Sequence, residues 1–68
     1  QYLNEQHEAI VFAPTVNIKS SPDENSKDIF VLHEGTKVTL LDVVANWQEI
    51  RIANGSIGWI KATDIRKI

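Results

Sequence analysis

Trp47-Gln48-Glu49-Ile50-Arg51-Ile52-Ala53-Asn54-Gly55-Ser56-Ile57-Gly58-Trp59-Ile60 decides how the chain folds. Two short β-prone runs flank Asn54-Gly55, a dipeptide that readily supplies the two positive φ angles of a type I′ turn, so the stretch reads as a β-hairpin. Each arm carries a Trp, and Gly58 leaves a spot without a side chain where another backbone or a ring can approach. In the first arm strict alternation puts Ile50 and Ile52 on one face and Trp47, Glu49 and Arg51 on the other. With the isoleucines turned inward, Trp47 starts on the outer or rim side.

Upstream, Lys37 to Val44 is the longest strand candidate, with Val38 and Leu40 inward, joined to the hairpin by Ala45-Asn46. His33-Glu34-Gly35-Thr36 makes a turn before it, with Gly35 expected at positive φ. Ile29 to Leu32 is a compact apolar strand, and Ser20 to Asp28, rich in Ser, Asp and Asn with one Pro, is an exposed loop. Val16-Asn17-Ile18-Lys19 alternates with period two, and Ala9 to Phe12 is a first strand stopped by Ala13-Pro14. Downstream, Lys61 to Ile65 forms one helical turn and a last short strand runs through Ile68. Residues 1–8 are polar, free of Gly and Pro, and too short to hold a helix alone. They read as a linker remnant, with the domain at 9–68.

Five or six short strands about ten residues apart, with turns between them, argue an all-β sandwich or small barrel. At 68 residues a small, partly open barrel of antiparallel strands is the better choice, since a sandwich needs roughly 100. One domain is allowed, and without Cys its core must hold unaided. The seven basic and nine acidic residues are scattered, with no Lys or Arg run, which argues against a nucleic-acid or anionic-membrane surface. Ala9 to Ala13 is the longest apolar run, far below a membrane span. The absence of Met reads as a processed product or an excised piece of a longer protein.

Catalytic chemistry finds little to use. A Cys/His pair is excluded, and no Ser among Ser20, Ser21, Ser26 and Ser56 has a strained elbow or an oxyanion hole beside His7 or His33. His33 reads as a solvated turn residue, not a metal ligand, and Asp23, Glu24 and Asp28 lack the spacing of a calcium loop. No cofactor or metal is expected. Phe12 and Phe30 read as core and Trp59 as structural, held in by the hairpin. Trp47 leans toward the polar loop, so Trp47, Asp23, Glu24, Asn46, Glu49 and Arg51 form the candidate ligand groove. One rim Trp does not make the aromatic-lined groove that polyproline recognition needs.

From Val16 onward the order of features resembles the bacterial SH3 (SH3b) domain family. The resemblance rests on Val16-Asn17-Ile18-Lys19-Ser20-Ser21-Pro22, then Gly35-Thr36-Lys37-Val38, then Trp47, Asn54-Gly55 and Gly58-Trp59-Ile60. Lys19 stands where such domains usually carry Arg, which removes a planar donor fork, and Ser21 where they usually carry Gly. The resemblance implies an SH3-like barrel that binds without catalysing. Tyr2 through Leu41 also resembles the C-terminal SH3-like domain of BatE-type aerotolerance proteins, envelope proteins with tetratricopeptide repeats and a transmembrane segment. That likeness implies residence on the periplasmic side of an inner membrane and no reaction; a complete barrel pattern without a catalytic set then reads as a module for protein–protein contact or assembly there. The alternative it leaves open is a cell-wall module that binds peptidoglycan peptide.

Overall fold

The computed structural model describes residues 7–67. Seven strands follow one another: β1 (Glu8–Val11), β2 (Thr15–Lys19), β3 (Asp28–His33), β4 (Lys37–Val44), β5 (Trp47–Arg51), β6 (Ile57–Lys61) and β7 (Ile65–Lys67), with one 3₁₀ turn at Ala62–Asp64. They form one antiparallel sheet in the order β3-β2-β6-β5-β4-β1-β7. The all-β SH3-like expectation holds, with seven strands in place of five or six. Ala9, Val11, Ile18, Leu32, Val38, Ile50 and Ile60, drawn from six strands, make one buried cluster. Such a cluster requires the sheet to curl around its own inner face.

The strand of Lys37 to Val44 lies where its alternation put it, and Gly35 has φ 89°. Glu8 belongs to β1 and pairs with Thr39, one residue before the expected domain boundary. The His7 carbonyl also accepts a hydrogen bond from Leu40 N at 2.7 Å. Of the linker expected at residues 1–8, residues 1–6 lie outside the described residues.

Two expectations need correction. The hairpin turn is not type I′: Gly55 has φ 93°, and Ala45 is the only non-glycine at positive φ among the described residues. Gly55 N donates to Ile52 O at 2.9 Å and Ile52 N to Ser56 O at 3.0 Å, so the loop is the three residues Ala53-Asn54-Gly55. A right-handed turn followed by a left-handed glycine is the usual three-residue hairpin connection. Phe12 is 55% exposed, not core; it follows β1, and the Arg66 guanidinium stacks 4.6 Å from its ring. Ile29 and Val31 are exposed as well, because β3 alternates and turns only Phe30 and Leu32 toward the core.

Gly58 is required by packing. A Cβ there would collide with the Ile18 side chain and stand 3.2 Å from the Lys19 carbonyl oxygen. Ile18 and Gly58 thus bring β2 against β6, and this contact carries Lys19 to a position opposite Trp59. In β4, Leu40 pairs with Ile50 and Val43 with Gln48, so Leu41 and Asp42 together oppose Glu49 in a β-bulge.

Candidate functional site

Trp47 opens β5 on the face opposite Ile50, and cross-strand pairing sets it between Val44 and Lys61. It is only 8% exposed, yet it lies outside the central cluster. What encloses it is the β2–β3 loop and the strands beside it. Together they form a cleft of about 300 Å³. Val16, Asn17 and Lys19 contribute from β2, Glu24 and Asn25 from the loop, and Lys61 and Asp64 from β6 and the 3₁₀ turn.

The loop is held by its own hydrogen bonds. Asp23 Oδ1 accepts from Asn25 N at 3.0 Å, and Ser26 Oγ donates to the Ser21 and Asp23 carbonyls at 3.1 and 2.6 Å. Ser20 N closes the base of the loop on Lys27 O at 2.9 Å. This arrangement projects Glu24 toward β6, where its carboxylate pairs with the Lys61 ammonium. Lys61 Nζ in turn lies 6.0 Å from the centroid of the Trp47 ring, at the outer reach of a cation–π contact. A second ion pair joins Lys19 Nζ to Asp28 at 2.5 Å.

Charges of alternating sign therefore surround the indole: Lys19, Glu24, Lys61, Asp64. The hydrogen bond from Lys61, and then its charge, hold the Glu24 carboxyl below its ordinary value. The same bond and charge raise the Lys61 ammonium, with Asp64 adding to the effect. Both groups stand in solvent, so the pair shapes the cleft more than it stabilises the fold. Among the described residues nothing accepts a hydrogen bond from the Trp47 indole N–H, which leaves that donor for water or a ligand.

Of the six residues expected to form a groove, Trp47 and Glu24 meet in this cleft. Asp23 shapes the loop. The Asn46 carbonyl accepts from Ala62 N at 2.9 Å and ties the β4–β5 turn to the 3₁₀ turn. Glu49 faces Trp59 across β5–β6. Arg51 is four residues from Trp47 along β5 and lines a different cleft, with Glu8, Lys37 and Thr39. Asn17, Asn25, Lys61 and Asp64 are cleft residues that the sequence reading did not single out. The other singled-out groups lie apart: His33, expected in a turn, is the exposed last residue of β3, paired with Thr15, and its carbonyl accepts from the Thr36 hydroxyl at 2.8 Å.

The family model of the bacterial SH3 domain matches residues 14–66, from just before β2 into β7. The chain belongs to the bacterial SH3 domain family. Bacterial SH3 domains are in general binding modules and not catalysts, and they take proteins or cell-wall peptides as ligands. Many are extracytoplasmic or associated with the cell wall. In this SH3 domain β1 lies outside the matched residues but inside the sheet, between β4 and β7. A comparison with curated proteins finds no match.

Proposed function

We propose that this bacterial SH3 domain is a non-catalytic peptide-binding module whose ligand lies in the cleft over Trp47. The observation that carries the reading is the grouping of Lys19, Glu24, Lys61 and Asp64 around a nearly buried indole whose N–H has no acceptor among the described residues. An apolar ring surface bordered by both signs of charge suits a short peptide bearing carboxylate and ammonium groups, fixed by a few convergent polar contacts. Peptidoglycan peptide has that character and the small size that a cleft of about 300 Å³ admits. The domain then anchors its parent to the cell wall on the extracytoplasmic side, the placement that the BatE-type likeness also implies.

A second reading, contact with an envelope protein during assembly, draws on a different surface. Leu41 and Val43 are exposed along the bulged half of β4, where with Leu40 and Gln48 they border one shallow cleft, and Val43 is 63% exposed. Apolar side chains grouped in solvent are one mark of a protein-contact surface.

The test is co-sedimentation with purified peptidoglycan, comparing the native domain with Lys61→Gln and Trp47→Phe. Sedimentation that Lys61→Gln abolishes while the melting temperature holds supports the cell-wall reading. No sedimentation of the native domain overturns it, and capture of one envelope protein lost on Val43→Asp then supports the second reading.

A further inference from the structure

Arg51 belongs to neither surface just described. It lies on the Trp47 face of β5, in a row that crosses three strands: Glu8 on β1 pairs with Thr39 on β4, which pairs with Arg51. These three, with Lys37, Ile52 and Ala53, border a cleft of about 380 Å³ floored by the buried Val38. The charges in it are unevenly used. Lys37 Nζ is committed to Glu8 at 3.4 Å, whereas Arg51 enters none of the three ion pairs found among the described residues. The cleft thus holds a planar donor fork without an ion-pair partner among the described residues, a hydroxyl directly across the strand from it, and apolar walls.

We propose that this second cleft binds the carboxylate of a small monoanionic acid or peptide end, with Arg51 as the anchor. A guanidinium offers two parallel N–H donors at the spacing of the two carboxylate oxygens. Thr39 stands on the neighbouring strand at the directly opposite position, where side chains approach to about 5 Å, close enough to share the same anion. Ile52 and Ala53 sit at the start of the hairpin loop and receive a small apolar group next to the carboxylate. Glu8 decides the charge class. Its carboxylate, only partly offset by Lys37, opposes a dianion such as phosphate more strongly than a monoanion.

The measurement is a titration of the ¹⁵N-labelled domain followed by amide shifts, with N-acetylalanine as probe, N-acetylalaninamide as its neutral counterpart, and inorganic phosphate as the dianion. The acid is expected to move Thr39, Arg51, Ile52 and Ala53 along a saturating curve, and the amide to leave them in place. Arg51→Gln should weaken the acid about tenfold or more, the loss of roughly one charge-assisted hydrogen bond. Arg51→Lys should recover only part of that, and Glu8→Gln should strengthen binding. Both positions are exposed or half-buried, so the variants can be checked for unchanged melting before titration. Equal shifts from the amide, an undiminished response in Arg51→Gln, tighter binding of phosphate, or shifts confined to the Trp47 cleft would each overturn the proposal. Because the two clefts share no lining residue, failure here leaves the Trp47 reading intact, and the reverse also holds.

Discussion

Gln48 holds Asp42 from inside the sheet. Its side-chain Nε2 donates to the Asp42 carbonyl at 2.8 Å and to the carbonyl of Glu49 at 2.9 Å, and Gln48 is itself buried. The β-bulge of Leu41 and Asp42 disrupts the ladder to β5, and the amide of Gln48 supplies a donor that the ladder no longer provides. Gln48→Leu fills the same space without donors and should cost about 1–3 kcal/mol. At roughly 4–8 °C per kcal/mol for a domain of this size, that is a clear fall in melting temperature by calorimetry. Gln48→Glu should be worse near neutral pH and recover on acidification, since a carboxylate facing two carbonyls is tolerable only when protonated.

Gly58→Ala places a methyl against Ile18 and near the Lys19 carbonyl, neither of which can swing aside as a flexible side-chain end would. Overpacking of this kind costs about 1–3 kcal/mol. Denaturant unfolding should show a lower midpoint at an unchanged slope. An unchanged midpoint would mean that β2 and β6 are farther apart than described.

Ala45→Gly should stabilise the domain. Ala45 has φ 54° in the β4–β5 turn, a region where a Cβ is strained by about 1–2 kcal/mol and glycine is not. Part of that gain is offset by the greater freedom of glycine in the unfolded chain, leaving about 0.5–1 kcal/mol. The check is the melting temperature, which should rise by a few degrees.

Trp47 and Lys61 separate stability from binding. Removing the buried indole by Trp47→Ala should cost about 3–5 kcal/mol, which makes that variant a poor probe of the ligand. Lys61→Gln alters a solvent-facing pair and should leave the melting temperature nearly unchanged. A binding defect in Lys61→Gln with intact melting therefore reports on the cleft alone.

The Glu24–Lys61 pair should respond to pH in a defined direction. Glu24 is held below its ordinary value of 4.5, so its contribution is present above that value and is lost as pH falls through the lower, folded value. Lys61 is raised, so its share is present below its ordinary 10.5 and is lost as pH climbs through the higher, folded value. Carboxyl-detected NMR should give Glu24 a depressed midpoint that returns to the ordinary range in Lys61→Met. A midpoint already ordinary in the native domain would remove the pair from solution.

Period-two alternation carried most of the fold. It placed β2, β4 and β5, and it put Trp47, Glu49 and Arg51 on one face. What it could not carry was the hairpin register. A two-residue Asn54-Gly55 turn would set Trp47 opposite Ala62; the three-residue loop sets it opposite Lys61. One residue of slip exchanges the faces. The type I′ assumption therefore hid Lys61, and the observed register sets Trp59 opposite Glu49 and Lys19. The sequence signal was ambiguous, because a glycine after asparagine serves either turn. The division of the expected groove into two clefts was hidden for a different reason. Four residues along β5 separate Trp47 from Arg51 by roughly 13 Å, more than one small ligand spans. Asp23 and Glu24 were read as equivalent acids, yet the loop spends Asp23 on its own backbone and offers Glu24.

The pairing of β1 with β7 has a consequence for synthesis. Val11 meets Ile65, and Ala9 meets Lys67, so the first described strand waits for the last before its outer edge is covered. At about 5–20 residues per second the ribosome takes roughly 3–11 seconds to pass from one to the other. During that interval the apolar edge of Ala9 to Val11 is open on the nascent chain, even after β4 has arrived on its other side. The outer edge of β1 is therefore covered only once β7 has been made.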